Sequence, residues 1–194
     1  GDKAHKLASR LRNVRDLDDL YLSLVSEWQD PASVVIGAQE PETLLNDRTQ
    51  KPGRAEHEHR MMYWDTMTYL PDDILCKVDR AAMGISLETR VPFLDHRIAE
   101  LAWRMPLNMK IRDGQGKWIL RQVLYKYVPK DLIERPKAGF GVPVGDWLRG
   151  PLREWAEALL DESRLKKEGY FNSTPVRQKW AEHKAGTRNW TQSI

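Results

Sequence analysis

The stretch Tyr69-Leu70-Pro71-Asp72-Asp73-Ile74-Leu75-Cys76-Lys77-Val78-Asp79-Arg80-Ala81-Ala82-Met83-Gly84 decides the fold class. Pro71 suits a first helical turn, and Asp72 and Asp73 complement the positive end of the helix dipole. Ile74, Leu75, Val78, Ala81 and Ala82 follow at helical spacing and mark one apolar face, with Gly84 placed to end the helix. Asp79 falls beside Leu75 at the edge of that face, so its carboxylate is expected to be partly buried and paired. Arg80 lies over Asp73 and Lys77 on the other side. Asp73 and Lys77 form an acid-before-base pair at one helical turn.

The helical period continues outward in both directions. Upstream, Leu17, Leu20, Tyr21, Leu24, Val25 and Trp28 form an apolar face behind a capping Asp16, with Pro31 as the stop. Residues Asp30 to Gly53 are punctuated by proline and glycine and read as irregular chain holding one short helix. A second helix covers Ala55 to Tyr69. Downstream, Asp95 caps a helix from His96 to Arg104. Lys117 to Val128 repeats the pattern before Pro129, and Pro151 to Leu160 and Pro175 to Lys184 add two more helices. Glu134 to Asp146 is rich in glycine and proline and reads as an ordered loop. No segment alternates well enough for a strand, Val34 to Ile36 being the best of them. The expectation is an all-α chain, with a helix and irregular segment over 1–53 and a helical core over 54–194 that carries the 134–146 loop. The last helix is expected to run on at the carboxyl end.

Composition narrows the function. The chain has 194 residues, 41% hydrophobic and 30% charged, an ordinary globular balance. The net charge of +3 comes from mixed rather than blocked charges, which argues against nucleic acid as a partner. A single cysteine, Cys76, excludes an internal disulfide and fits a cytoplasmic setting. No apolar run is long enough to span a bilayer, so no membrane is expected. The chain opens on Gly1 without a Met, which reads as an excised piece or a tag remnant. Four tryptophans, Trp103, Trp118, Trp147 and Trp155, lie on or near apolar faces and are expected in the core.

Two stretches carry a resemblance. The quoted segment, continued through Ser86-Leu87-Glu88-Thr89-Arg90-Val91-Pro92-Phe93-Leu94-Asp95, resembles the signature YLPDDILxKxDRxSM then SLExRxPFLD of glutamine-dependent asparagine synthetases. Ala82 stands where that family often has Ser. Arg135-Pro136-Lys137-Ala138-Gly139-Phe140-Gly141-Val142-Pro143 resembles the family's RxKxGFxxP loop, and Lys117 to Arg121 its KxxLR helix. The likeness is close over roughly Tyr63 to Trp147. It implies the helical carboxyl-terminal portion of an α/β adenine-nucleotide alpha-hydrolase-like synthetase domain whose sheet is mostly missing here. It further implies a parent that uses ATP and Mg2+ to adenylate a carboxylate, which ammonia released from glutamine then attacks. The SGGxDS pyrophosphate loop, the GDGGDExFGGY-like segment and the glutaminase are not in this sequence. The missing nucleotide-binding and glutaminase portions of the same polypeptide are therefore the expected partners, with small-molecule substrates. No cofactor is expected on the fragment, which is read as inactive alone.

The candidate residues follow from the chemistry. Expelling pyrophosphate builds negative charge on the leaving group, and a cation aimed at that group lowers the barrier. The resemblance assigns this catalytic part to Lys137, on a loop that Gly139 and Gly141 allow to bend close to a ligand. Asp79 and Arg80 are read either as facing nucleotide or acidic substrate, or as members of an ion-pair lattice, which is the preferred reading for Lys77. Glu88 and Arg90 precede Pro92 on extended chain, point the same way, and are expected to form a buried supporting pair. Asp95 supports the site as a cap. Lys117 begins a helix and is read as an exposed lysine in preference to a phosphate contact. His57 and His59 lack the one-turn spacing of a helical metal pair, so no metal is expected there. An exposed apolar patch is expected where the absent sheet docks, with a homodimer as one consequence. Three rival readings remain open: an amidotransferase acting on a sugar carboxylate or a cell-surface polymer precursor, a non-catalytic helical interaction module, and a nucleic-acid-binding helical domain.

Overall fold

The computed structural model describes residues 1–47, 49, 53, 56–136 and 141–194. In chain order the elements are α1 (Asp2–Leu11), α2 (Leu17–Val25), α3 (His57–Met67), α4 (Cys76–Met83), α5 (His96–Arg104), α6 (Leu107–Lys110), β1 (Ile111–Arg112), β2 (Gln115–Gly116) and α7 (Trp118–Leu124). They continue with α8 (Lys130–Ile133), α9 (Val144–Arg149), α10 (Arg153–Leu159), α11 (Glu162–Glu168) and α12 (Ser173–Lys184). The chain is thus mostly helical, as its periodicity predicts. It divides into two compact units, Gly1–Arg48 with Phe140–Ile194, and Thr49–Gly139.

The first unit joins the two ends of the chain. Val34 accepts a hydrogen bond from the Asn172 amide at 2.7 Å, and the Ile36 amide donates to the Tyr170 carbonyl at 3.0 Å. The Val34 to Ile36 segment is therefore no strand but a single antiparallel bridge, Val35 to Phe171. Around it Val34, Leu165 and Val176 form one buried cluster with Trp28 and Leu160 against it. Leu148, Ala156 and Trp180 form a second, flanked by Val144, Leu160 and Ile194. Asp16 caps α2, its carboxylate accepting from the Asp19 amide at 2.8 Å. That helix ends at Val25, well short of the Pro31 stop. The last helix ends at Lys184 rather than running on, because Gly186 turns left-handed at φ +69°.

In this unit Glu157 holds α10 to α12. Its carboxylate accepts from Arg177, Trp180 Nε1 and Lys184, each at 2.6 Å. The Lys184 hydrogen bond, followed by those of Trp180 and Arg177, pulls the Glu157 carboxyl down to about 2. His183 is fully buried and stacks on Trp180, with ring centroids 6.1 Å apart. Its Nε2–H donates to the Gly145 carbonyl at 3.1 Å, and Nδ1 accepts from the Trp190 amide at 3.2 Å. Burial lowers its pKa, and the Arg149 guanidinium works in the same direction. Gly145 is required by this packing: a Cβ there would lie 2.4 Å from Thr191 Oγ1 and 3.4 Å from His183 Cε1.

The second unit is built differently. Among its described residues the buried side chains are His59, Arg60, Trp64 and Ala82. His59 Nε2 accepts from Lys110 Nζ at 2.9 Å while Nδ1 faces Glu56 at 3.3 Å, a satisfied buried histidine. The expected apolar face of α4 is not covered: Ile74 and Leu75 are half-buried and Val78 is 40% exposed. Ile85, Phe93, Ile98, Leu101, Leu120, Val123 and Tyr127 are exposed too. An apolar surface of this breadth is what a docking partner covers. The segment before α4 is not an ordinary first turn but a π-helix, Leu70–Leu75, and α4 follows without a break. Gly84 keeps a right-handed φ of −56°, and the left-handed turn falls on Ser86 at φ +60°.

The tryptophan expectation needs correction. Trp155 is 59% exposed and Trp147 42% exposed, whereas Trp180 and Trp64 are the buried pair at 0% and 4%. The hairpin β1–β2 was also not foreseen. Asp113 and Gly114, at φ +52° and +73°, make its two-residue turn, the positive-φ arrangement that Asp-Gly favours.

Candidate functional site

The second unit brings the KxxLR helix and the stem of the 134–146 loop together. Lys117 closes the hairpin in a left-handed conformation, φ +59°, directly before α7. An L-residue pays roughly 1–2 kcal/mol for that backbone, so something must hold it. Arg121, one turn on, does so from both sides. Its amide donates to the Lys117 carbonyl at 3.0 Å and its Nε to the Gly116 carbonyl at 3.1 Å. The same guanidinium donates through NH1 to Glu134, the residue directly before Arg135-Pro136. Tyr125, on the next turn, donates its hydroxyl to the same Glu134 oxygen.

Glu134 therefore anchors the stem of the motif loop to the helix that begins at Lys117. The Tyr125 hydrogen bond, then the Arg121 hydrogen bond and charge, hold its carboxyl below the usual range. Arg121 is raised in turn, by Tyr125 first and Glu134 second. A folded-state pKa that is depressed gives stability above the ordinary carboxylate range, lost as pH falls through the folded value. The anchor is thus fully made at neutral pH. Lys117 itself is exposed, and its ammonium has no hydrogen bond or ion pair among the described residues.

Lys137 and Gly139 lie outside the described residues. Asp79 and Arg80 lie on α4, exposed and without a side-chain partner among the described residues. The expected partial burial and pairing of Asp79 is not found, because the apolar face it borders is itself uncovered. Lys77 takes the structural part: its Nζ lies 2.6 Å from Asp73 Oδ1, and its pKa is raised chiefly by that hydrogen bond. Glu88 and Arg90 do pair, at 2.5 Å, but with side chains 72% and 84% exposed. This corrects the expectation of a buried pair, since no described element covers the extended segment. Asp95 caps α5, accepting from the Arg97 amide at 2.9 Å and pairing with the Arg97 guanidinium at 2.7 Å. Arg97, by side-chain and backbone hydrogen bonds, lowers the Asp95 carboxyl.

Glu134 and Tyr125 were not singled out from sequence. The signal was present in part: Arg121 sits one turn after Lys117, and an acid stands directly before the Arg-Pro of the loop. The 13-residue gap between Arg121 and Glu134 is what hid it.

The chain is similar to known proteins over most of its length. The family model described as Asparagine synthase matches residues 2–194. Asparagine synthetase [glutamine-hydrolyzing] 3 of Bacillus subtilis (strain 168) is 40% identical over 170 residues, covering 78% of this chain and 27% of its own length. Asparagine synthetase [glutamine-hydrolyzing] 1 of the same organism is 35% identical over 136 residues, covering 70% and 21%. Asparagine synthetase [glutamine-hydrolyzing] of Homo sapiens is 28% identical over 163 residues, covering 74% and 28%. The chain spans between about a fifth and somewhat over a quarter of these curated relatives. No solved structure matches it.

Proposed function

Because this chain belongs to the asparagine synthase family, we propose that it is the helical carboxyl-terminal part of a glutamine-hydrolysing asparagine synthetase. The proposed overall reaction converts aspartate, ATP and glutamine into asparagine, AMP, pyrophosphate and glutamate. The observation that supports this reading is the double anchor at Glu134, which ties the residue before Arg135-Pro136 to the helix behind Lys117. In the reading, Lys137 and Lys117 both serve the departing phosphates. Negative charge grows on the leaving oxygen as the carboxylate attacks the α-phosphorus, and preset cations stabilise that charge without reorganising. Arg121 acts as a positioning residue. It fixes the Lys117 turn through the Gly116 carbonyl and the loop stem through Glu134.

ATP is the substrate whose phosphates these lysines suit. Among the described residues no three His, Cys, Asp or Glu side chains converge to hold a metal ion. The pyrophosphate cradle and the glutaminase are assigned to other portions of the polypeptide, and the 194-residue chain alone is expected to release no pyrophosphate from ATP.

Substituting Glu134→Ala in the full-length polypeptide tests the anchor. Pyrophosphate release is expected to fall by about 10²-fold, the usual cost of displacing a reacting group by about 1 Å. Glutamine hydrolysis is expected to stay unchanged. Pyrophosphate release within twofold of the unsubstituted enzyme would remove the anchor from the mechanism.

A further inference from the structure

In the first unit Lys179 of α12 projects between two indoles, on a cleft that Val142 and Pro143 also line. Its Nζ lies 3.2 Å from the centroid of Trp28 and 4.6 Å from that of Trp190. The ammonium makes no hydrogen bond or ion pair among the described residues. It opens on one side into a cleft of about 580 Å³ and on the other into a recess of about 230 Å³. The larger volume falls in the range of small-molecule sites. The indole faces favour the ammonium, but burial beside them takes the amine partly out of water and the cleft leaves it reachable as a nucleophile.

The charges around it sort themselves. Glu27 and Glu182 favour the ammonium, but burial, with Lys6 acting in the same direction, outweighs them and draws the pKa down to about 8. Glu182 is already engaged by Trp190 Nε1 at 2.6 Å and by Arg188 at 3.2 Å. In the larger cleft Asp146 is matched by Arg149 at 2.7 Å, and Asp30 is spent on the Ser33 amide. Arg10 donates to the Ser23 and Leu24 carbonyls, so its charge meets no carboxylate there. Lys6 adds a second cation, 3.5 Å from Asp2. His5 lines the smaller recess. A molecule entering the larger cleft thus meets a nucleophilic amine with guanidinium and ammonium charge nearby.

From this arrangement we propose that Lys179 is an acyl-accepting site for small mixed carboxylic–phosphoric anhydrides such as acyl phosphates. The neutral amine attacks the carbonyl carbon and forms a C–N bond. The C–O bond to phosphate breaks, phosphate leaves with the bonding pair towards Arg10 and Lys6, and the amine proton passes to water. The product is a neutral amide, so the cation contact with both indoles is lost on modification. The inference does not depend on the synthetase reading.

At pH 7.5 roughly a quarter of an amine with a pKa near 8 is neutral, against about 0.1% of an ordinary lysine. Lower basicity weakens the nucleophile by about tenfold, on the Brønsted slope known for thiols. A net preference on the order of tenfold remains. The test treats the full chain with acetyl phosphate and follows each lysine by site-resolved mass spectrometry between pH 7 and 9.5, with exposed Lys167 as the reference. Lys179 is expected to react about tenfold faster than Lys167 at pH 7.5 and to level off above pH 8, while Lys167 goes on rising about tenfold per pH unit. With 4-nitrophenyl acetate, a donor without phosphate, the preference for Lys179 is expected to shrink. A Lys179 rate at or below that of Lys167, or a profile still climbing tenfold per unit above pH 8.5, overturns the proposal. An equal preference with both donors overturns the assignment to phosphate anhydrides.

Discussion

Replacing Glu157 by Ala removes the acceptor that ties α10 to α12. Trp180 is 0% exposed and donates Nε1–H to Glu157 at 2.6 Å. An indole N–H left unpaired at such a site costs about 1–3 kcal/mol. The Arg177 and Lys184 ion pairs add less. The Glu157 side chain is 39% exposed, so solvent screens them and each contributes about 0–1 kcal/mol. The sum is about 1–5 kcal/mol. Equilibrium urea unfolding followed by circular dichroism reads it directly. With a slope of about 2 kcal/mol per M for a unit of this size, the midpoint should move down by about 0.5–2.5 M. Glu157→Gln keeps an acceptor for the indole and should cost roughly 1 kcal/mol. The pH dependence adds a second readout. Because the folded carboxyl titrates at about 2 and an unfolded one at about 4.3, its contribution is present above about pH 4.3 and is lost as pH falls toward 2. That part of the acid slope should be missing in the Ala variant. A loss below about 0.5 kcal/mol would refute the assignment of Glu157 as the clamp.

Gly145→Ala should destabilise the first unit by about 1–3 kcal/mol, the cost of overpacking. The new Cβ would meet Thr191 Oγ1 at 2.4 Å, and a thermal melt matching wild type would show that this end of the chain yields freely. His183, buried with a lowered pKa, must take up a proton on unfolding in mild acid. Stability is therefore expected to hold above about pH 6.5 and to decline as pH falls below it. Urea titrations at pH 7.5 and 5.5 compare the two conditions, and a His183→Gln variant that keeps the same slope would trace the decline to another group.

The elements that sequence periodicity reveals are those whose stop and start signals are local. Asp16 and Asp95 mark α2 and α5 because a cap acts within one turn. Helix α11 carried equally local signals, Asp161 accepting from the Arg164 amide and Gly169 at φ +74°, and was passed over because its exposed face is nearly all charged. The hairpin at Asp113-Gly114 was likewise written in the sequence, but with two-residue strands it offers no alternation to detect. What periodicity cannot supply is long-range pairing. Nothing local says that Val34 accepts from Asn172, and hence that the ends of the chain fold as one unit. The same limit hid Glu134, whose partners Arg121 and Tyr125 lie 13 and 9 residues upstream. Burial was misjudged where an apolar helix face has no partner in this chain. Val78 and Leu101 have the right spacing and remain exposed, and Asp79 and Glu88 stay solvated beside them.

The most direct test of the synthetase reading is a Lys137→Ala substitution in the full-length polypeptide, with pyrophosphate release and glutamine hydrolysis measured side by side. Loss of the loop cation is expected to slow pyrophosphate release by about 10²–10³, or roughly 3–4 kcal/mol, with glutamine hydrolysis unaltered. Equal pyrophosphate release by the variant and the unsubstituted enzyme would contradict it.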